Sequence, residues 1–239
     1  MATKLGSVVG YRSGIYNGYK VIGTQTLGLR GLALWLKFNE GSGNIAYDSS
    51  FYNNHGTIYG ATWTDGKFGK ALSFDGVDDY VEINNGFNDV FPNSFSITMW
   101  FKTTCTQKIL FSRGTSWGSG NVVLYIGVDG RFQFLTYDTN PQITFSNNPV
   151  NDGNWHFVVA VYNGSQKYLY IDGVLQADID TVTGSIATGI TTTRIGWRDG
   201  TTYFNGTIDE VRIYSRALSE NEIKMLYYNK IGAVPSKAI

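Results

Sequence analysis

Apolar and polar residues alternate along most of the chain in short segments separated by glycine, asparagine and aspartate. In residues 31–38 the alternation places Leu32, Leu34 and Leu36 on one face, and in residues 94–102 it places Trp100 opposite Met99. A period of two residues is typical of β-strands. The same pattern predicts strands at 71–74, 80–83, 108–112, 122–127, 131–136, 154–164, 167–173, 192–197 and 207–214.

The connections between these segments indicate hairpins, and the end of the chain indicates a helix. Residues 163–166 (Asn-Gly-Ser-Gln) join two strands with residues that favour a tight turn. Ser219 and Glu222 have the spacing of a capping box, which predicts a helix from there to about Asn229. We expect an all-β, two-sheet antiparallel jelly-roll sandwich with one short C-terminal helix. The chain divides into an N-terminal arm (1–30), the sandwich (31–230) and a tail (231–239).

Composition supports one large β domain and excludes two classes of protein. The 239 residues include 29 glycines but only 4 prolines, and 16% are charged. The 19 basic and 19 acidic residues balance without a basic stripe, which argues against nucleic-acid binding. The longest apolar run, 32–36, is far shorter than a membrane span, and residues 1–30 show no signal peptide. The single Cys105 cannot form an internal disulfide.

Seven sequence motifs in a fixed order resemble one known family. They are LWLKFNEGSGNIAYDSS (34–50), NNHGTIYGATWTDGKFGKALSFDGVDDYVEI (53–83), FSITMWFK (95–102), GNWHFVVAVYNG (153–164), YLYIDGVL (168–175), RIG (194–196) and FNGTIDEVRIYSRALSENEI (204–223). Residues 32–228 thereby resemble the laminin G-like jelly-roll domains of the concanavalin A-like lectin/glucanase superfamily. The resemblance implies a curved two-sheet sandwich that binds glycans or protein surfaces, in some members with a structural calcium.

The function expected from this resemblance is non-catalytic recognition of a glycan or cell surface, at an extracellular or particle surface. An alternative is a structural or decoration protein of a virus or phage particle, and the two are compatible. A glycoside hydrolase is less expected. The glucanase branch carries several acids on one strand face, whereas Asp209 and Glu210 are adjacent and alternation points them to opposite faces.

Aromatic residues in glycine-rich loops are the candidate ligand contacts, because sugars stack on exposed rings beside polar groups. Trp117 lies in the loop 113–121, and Trp197, Arg198, Asp199 and Tyr203 follow one another in the loop after residue 196. Trp100 is a further candidate if its strand face is open. The alternative is that the loop aromatics pack on their own scaffold and that a second layer buries Trp100.

The resemblance also favours a structural Ca²⁺ at Asp209, with backbone oxygens from 38–41 and with Asp75 and Glu40 as further carboxylates. Calcium binds six to eight oxygens, many from backbone carbonyls, so its sequence signature is faint. The alternative is that Asp75 and Asp209 bond backbone N–H groups at turns.

Residues 1–30 are the part of the chain that the resemblance does not cover. They combine apolar residues with glycines at 6, 10, 14, 18, 23 and 28, which disfavour a helix. An extended arm can add a strand to a sheet edge, of the same sandwich or of a neighbouring copy. We expect a homo-oligomer or virion assembly through this arm, lost when residues 1–30 are deleted.

Overall fold

The computed structural model describes residues 14–16, 19–21, 29–114, 118–200 and 202–229. Within these ranges the strands are β1 (Gly14–Tyr16), β2 (Tyr19–Val21), β3 (Leu32–Leu36), β4 (Ile45–Ala46), β5 (Gly56–Tyr59), β6 (Thr62–Asp65), β7 (Lys70–Asp75), β8 (Tyr80–Ile83), β9 (Phe95–Lys102), β10 (Lys108–Arg113), β11 (Val122–Ile126), β12 (Arg131–Thr136), β13 (Ile143–Pro149), β14 (Trp155–Tyr162), β15 (Gln166–Ile171), β16 (Val174–Leu175), β17 (Asp180–Thr181), β18 (Thr193–Ile195) and β19 (Asn205–Tyr214). The helix α1 (Glu220–Tyr227) follows β19.

The strands form two large antiparallel sheets. The eight-stranded sheet has the order β13-β12-β11-β10-β18-β8-β5-β4. The nine-stranded sheet has the order β16-β15-β14-β9-β19-β7-β6, with β17 paired to β15 and β3 paired to β19. β1 and β2 pair with each other in a two-stranded sheet. The predicted all-β sandwich with one short C-terminal helix is confirmed.

The main core lies between the two large sheets. β14 shows why a continuous apolar run forms a strand here, because both of its faces are buried. Val158 and Ala160 enter the main core, whereas Phe157 and Val159 point to the opposite side of the sheet. A strand buried on both faces is apolar at every position rather than at alternate ones.

A second apolar layer covers the outer face of the nine-stranded sheet. We call it the helix-side cluster, and its buried members are Leu32, Trp100, Phe157, Val159, Val161, Tyr170, Tyr214, Leu218, Ile223 and Leu226. The last two belong to α1, so the helix lies on this face of the sheet. The helix therefore covers the part of this face where Trp100 and Phe157 lie.

The face predicted for Leu32 is wrong. Leu34 and Leu36 lie in the main core, but Leu32 lies in the helix-side cluster. The register of β3 against β19 shifts, because Ile213 faces Leu34 while Tyr214 faces Leu32. A bulge of this kind adds one residue to a strand and reverses the alternation beyond it.

The predicted turn and helix start are confirmed. β14 and β15 form a hairpin across residues 163–166, closed by the bond from the Asn163 N–H to the Gln166 carbonyl. Ser219 is the N-cap of α1, and its hydroxyl and the Glu222 carboxylate form the reciprocal capping box. Most of residues 1–28, and residues 230–239, lie outside the described residues. Assembly through the arm therefore stays a prediction.

Candidate functional site

Burial shows which of the aromatic residues predicted from the sequence a ligand can reach, and Trp100 is not one of them. This ring is 2% exposed. It stacks on Tyr227 of α1 with 5.5 Å between ring centroids, and the Lys67 ammonium lies 4.4 Å from its centroid. The helix covers that face, so the alternative stated for Trp100, burial by a second layer, is the one observed, and Trp100 is not a ligand contact. Trp117 lies outside the described residues.

The loop after β18 keeps one predicted aromatic pair near the surface but buries the neighbouring cation. Trp197 and Tyr203 are half-buried and stack in parallel, with centroids 4.9 Å apart. Arg198 is fully buried, and its guanidinium lies 5.2 Å from the ring centroid of Tyr137. Asp199 is half-buried, and its backbone carbonyl accepts a bond from Thr202. The prediction that Trp197, Arg198 and Asp199 contact a ligand together is wrong for Arg198, because its side chain points inward.

A row of rings crosses the outward face of the eight-stranded sheet. Tyr59 of β5 stacks on Tyr80 of β8 at 4.5 Å, and Tyr80 lies 4.9 Å from Trp197. The Arg194 guanidinium covers Trp197 at 4.2 Å and pairs with Glu82 at 2.7 Å. Neighbouring strands place these side chains side by side, because residues in register share one face of a sheet. The surface charge beside the rings thus comes from Arg194 and Glu82.

Further exposed aromatics lie in the loop between β4 and β5, at the opposite end of β5 from this row. Tyr47 is 56% exposed, Phe51 is 68%, Tyr52 is 66% and Tyr59, at the end of β5, is 42%. Sequence reasoning did not single out these residues as ligand contacts. Their signal was present as two aromatic residues followed by Asn-Asn-His-Gly, since a polar turn offers no apolar neighbours that could bury the rings. We call the three loop residues Tyr47, Phe51 and Tyr52 the aromatic face, whereas Tyr59 belongs to the row of rings at the other end of β5.

Asp48 holds this loop in one conformation. The Oδ1 of Asp48 accepts the N–H groups of Trp35 and Ser50 at 2.9 and 2.8 Å, and Oδ2 accepts the N–H of Asn54 at 2.9 Å. The Asp48 N–H donates to Nδ1 of His55 at 3.0 Å. Charge-assisted bonds to several backbone groups are strong, so the aromatic side chains project from a rigid base.

Further hydrogen bonds connect this loop to its neighbours at the same end of the eight-stranded sheet. Asn85 donates from its side-chain amide to Asn54 at 2.9 Å, and its carbonyl accepts the Thr193 hydroxyl at 2.7 Å. The guanidinium of the fully buried Arg113 donates to the carbonyls of Gly86, Gly120 and Ala187. The loops at this end of the sheet therefore form one connected frame.

One of the residues predicted to bind calcium, Asp75, lies away from Asp209. β19 pairs Asn205 with Asp75, which places Asp75 about four residues, roughly 13 Å, along the strand from Asp209. Asp75 instead lies with Asp78 and Asp79, the acidic group whose carboxylates approach within 4.8 Å in the described part of the chain. Glu40 accepts the Tyr47 N–H at 2.8 Å. Asp75 is therefore too far from Asp209 to bind the same ion, and this part of the prediction is wrong.

Asp209 itself lies where β3 and β7 meet along β19. It is fully buried, and its Oδ2 accepts the Phe68 N–H at 3.0 Å. Its Oδ1 has no hydrogen-bond partner in the described residues. Burial and, to a lesser extent, the charge of nearby Glu210 raise the pKa of Asp209 to about 7. This buried carboxylate oxygen is the kind of atom that a cation would satisfy.

Glu210 does not point away from Asp209 as strand alternation predicts. The pairing of β19 with β9 shifts between Asp209 and Arg212, and Glu210 has a φ of 55°. Glu210 accepts the indole N–H of Trp35 at 2.8 Å and pairs with Arg212. Trp35 and Phe68, the partners of the two acids, both pack on the helix-side cluster. The bulge thus brings both acids to one side of the sheet.

Comparison with known proteins identifies the family. The family Laminin_G_3, described as the concanavalin A-like lectin/glucanases superfamily, matches residues 75–224. The chain belongs to this family. Comparison with curated protein sequences gives no match. In the described part of this laminin G-like domain, no helix combines the length and apolar character needed to cross a membrane.

Three solved structures illustrate what this laminin G-like domain is similar to. Domain 4 of AbnA, a GH43 extracellular arabinanase from Geobacillus stearothermophilus, solved with arabinotriose, has a TM-score of 0.69 and 23% identity, covering 82% of this chain and 98% of that one. The binding domain of Paraclostridial Mosquitocidal Protein 1 gives 0.68 and 16%, covering 84% and 52%. Trypanosoma rangeli sialidase with the inhibitor DANA gives 0.66 and 18%, covering 87% and 34%. The chain thus spans about half and a third of the last two, and at these identities the likeness shows the fold.

Proposed function

We propose that this laminin G-like domain is a non-catalytic module that binds a glycan, at a cell or particle surface, through the aromatic face. The observation that carries the proposal is the exposure of Tyr47, Phe51 and Tyr52 on the loop fixed by Asp48. Exposed rings beside polar groups suit the C–H faces and hydroxyls of sugars. A rigid base lowers the conformational entropy lost on binding.

Two further observations support this function. The arabinanase domain in the comparison was solved with arabinotriose, and the mosquitocidal protein segment is named as a binding domain. Glu210 is held by Arg212 and by the Trp35 indole, so this acid is engaged in the framework. The proposal therefore assigns the domain to recognition and not to bond cleavage.

Binding of arabinan and sialylated oligosaccharides by calorimetry and glycan array tests the proposal. The variant Phe51→Ala with Tyr52→Ala is expected to weaken binding at least tenfold, because two exposed rings no longer contact the sugar. The matched control is Val77→Ala with Val128→Ala, since both valines are exposed apolar residues on other loops. Equal affinity of the aromatic variant and the control would contradict the proposal.

We also propose that a structural calcium ion binds at Asp209. The buried and unbonded Oδ1 supports this assignment, and backbone carbonyls of residues 38–41 would complete the ligand set. When bound, the ion would cross-link β19 to the neighbouring loop and neutralise a buried carboxylate.

Thermal unfolding with calcium and with a chelator tests the ion site. A cation that binds only the folded chain stabilises it by about 2.7 kcal/mol at a hundredfold excess over its Kd. We expect calcium to raise the Tm of the wild type and of the control Asp75→Asn, but not of Asp209→Asn. A Tm that does not change with calcium, or that rises equally in Asp209→Asn, would remove the site.

A further inference from the structure

A small pocket opens at the same end of the eight-stranded sheet as the loop between β4 and β5. Its volume is about 260 Å³, and one wall is formed by Gly114, Gly118, Ser119 and Asn121. The other wall is the segment 189–192, joined to the first by the bond from the Gly114 N–H to the Thr192 carbonyl. Pockets that hold drug-sized ligands have volumes of about 300–1,000 Å³, so this smaller pocket suits a single small ring.

Buried polar groups behind the pocket fix both walls. The Arg113 guanidinium donates to the carbonyls of Gly120 and Ala187, and so ties one wall to the segment leading into the other. The Asp138 carboxylate accepts the N–H groups of the same two residues at 2.6 and 2.9 Å. Asn88 holds Ile190 through the bond from its side-chain amide to the Ile190 carbonyl at 2.6 Å. The pocket is therefore pre-formed.

The chemistry of the lining suits an uncharged polyol. No lining residue in the described part of the chain is charged, and Ser119, Thr191 and Thr192 offer hydroxyls that both donate and accept. Asn121 is 3% exposed; its amide nitrogen donates to the Gly118 carbonyl at 2.8 Å, and its Oδ1 has no hydrogen-bond partner in the described residues. This acceptor lies against Gly114. A Cβ added to that glycine would lie 2.2 Å from Asn121 Oδ1, so no larger residue fits there. Ile190 adds an apolar surface.

The register of the strands places the pocket within reach of the aromatic face. Ile83 pairs with Thr193, Thr193 pairs with Arg113, and Gly56 lies beside Ile83 one position from the Thr57–Glu82 pair. Three inter-strand spacings, about 14 Å, therefore separate the loop that ends at Gly56 from the pocket that begins at Gly114. One oligosaccharide of a few units can span that distance.

We propose that this pocket is a subsite for a single uncharged sugar residue, the terminal unit of a glycan whose inner units lie on the aromatic face. The inference rests on the proposed glycan-binding function and adds to it a requirement for a neutral terminal residue. The pocket supplies hydroxyl and amide hydrogen bonds, and the aromatic face supplies stacking. Neither region contributes an unpaired charge toward the bound sugar among the described residues.

Amide chemical-shift mapping tests the subsite with simple probes. We expect the methyl glycosides of glucose, galactose or arabinose to shift the amides of residues 118–121 and 189–192 in a saturable manner. N-acetylneuraminic acid, which carries a carboxylate, is expected to leave these amides unchanged. Shifts confined to residues 47–59, an absence of saturable shifts with every neutral glycoside, or equal binding of the charged sugar would overturn the proposal.

Two variants of an exposed lining residue sharpen the test. Thr191→Trp is expected to occlude the pocket and to weaken glycoside binding about tenfold or more, while Thr191→Val removes only the hydroxyl and weakens it less. Thr62→Trp, at an exposed threonine of β6 in the other sheet, is the matched control and should bind as the wild type does. Unchanged binding by both Thr191 variants, with unchanged Tm, would contradict the subsite.

Different results would contradict the proposed subsite and the proposed role of the aromatic face. The Phe51→Ala, Tyr52→Ala double variant should lose affinity for oligosaccharides but keep the glycoside shifts at 118–121 and 189–192. If instead oligosaccharide affinity is unchanged in that variant and lost in Thr191→Trp, the aromatic face is wrong and the subsite stands. If oligosaccharide affinity is lost in the double variant and unchanged in Thr191→Trp, and glycosides do not shift the pocket amides, the subsite is wrong.

Discussion

His156 lies between two carboxylates on separate segments. Its Nδ1 is 2.8 Å from Asp172 and its Nε2 is 3.0 Å from Asp152. The hydrogen bond with Asp172 is the largest influence on this histidine and raises its pKa above the ordinary 6.5, against the opposing effect of burial. The bonds that Asp152 receives from Asn154, and to a lesser extent its contact with His156, lower the pKa of Asp152 to about 2. His156 is thus a strand residue of β14 whose two ring nitrogens are both hydrogen-bonded.

The shift of His156 predicts how stability changes with pH. A group whose pKa is higher in the folded state stabilises the fold below its unfolded pKa, here 6.5, and that stabilisation is lost as pH rises through the folded pKa. We expect the free energy of unfolding of the wild type, relative to His156→Gln, to fall from mildly acidic to mildly alkaline pH. Urea unfolding across this range measures it. A difference that is flat or rises with pH would contradict the assignment, and Asp172→Asn should reduce the slope.

Single residues also show what the sequence could not predict about the site. The pattern identified Trp197 and Tyr203 as surface-loop aromatics, and the structure places both beside the row of rings. It could not show that Arg198 turns inward onto Tyr137, because side-chain direction in a loop depends on long-range contacts. Arg194 is the residue that covers Trp197 instead, and strand alternation alone gave it no special role.

At the level of elements, local signals predicted more than long-range ones. The capping box placed the start of α1, since its two hydrogen bonds involve residues only three positions apart. The bulges in β3 and β19 were not predicted, because they arise from the pairing of β19 with β3 and with β9. They account for both wrong face assignments, at Leu32 and at Glu210.

The capping box gives a prediction for the helix. Although burial alone would raise it, bonds from Arg216 and Ser219 hold the pKa of Glu222 at about 2, so this carboxylate stays ionised. Replacing Ser219 by alanine removes a side chain that caps the Glu222 N–H, which costs about 1 kcal/mol. We expect Ser219→Ala to lower the free energy of unfolding by that amount in urea, and Ser219→Asp to restore most of it. A change within error in both variants would show that packing of Ile223 and Leu226 alone holds α1.

The whole molecule has two apolar layers, and only the family resemblance and the strand count pointed to the overall architecture. The periodicity separated the two faces of β9, but it left open what covers the outer one. The covering element is α1, and its contact with Trp100 closed a surface that the sequence had left as a candidate. The exposed loop between β4 and β5 falls at the junction of two family motifs, 34–50 and 53–83, and the resemblance gave it no function of its own.

The two apolar layers also predict the outcome of truncation. Both layers lie in residues 29–229, and Arg216 and Ser215 bond the carbonyls of Arg30 and Gly31. A chain that begins at Leu29 is therefore expected to fold with an unchanged Tm. If residues 1–28 mediate assembly, gel filtration will show a larger species for the full chain and a monomer for the truncated one. Equal elution of both would contradict assembly through the arm.

The frame of loops around Arg113 has a consequence for the rate of binding. Burial lowers the pKa of Arg113 to about 10, so its guanidinium stays charged at neutral pH and keeps its bonds to three loop carbonyls without help from a ligand. A site that needs no rearrangement binds in one step, at a rate set by the encounter of the two molecules. The observed association rate should then rise in proportion to glycan concentration, without a plateau, and differences among glycans should lie in how fast each one leaves.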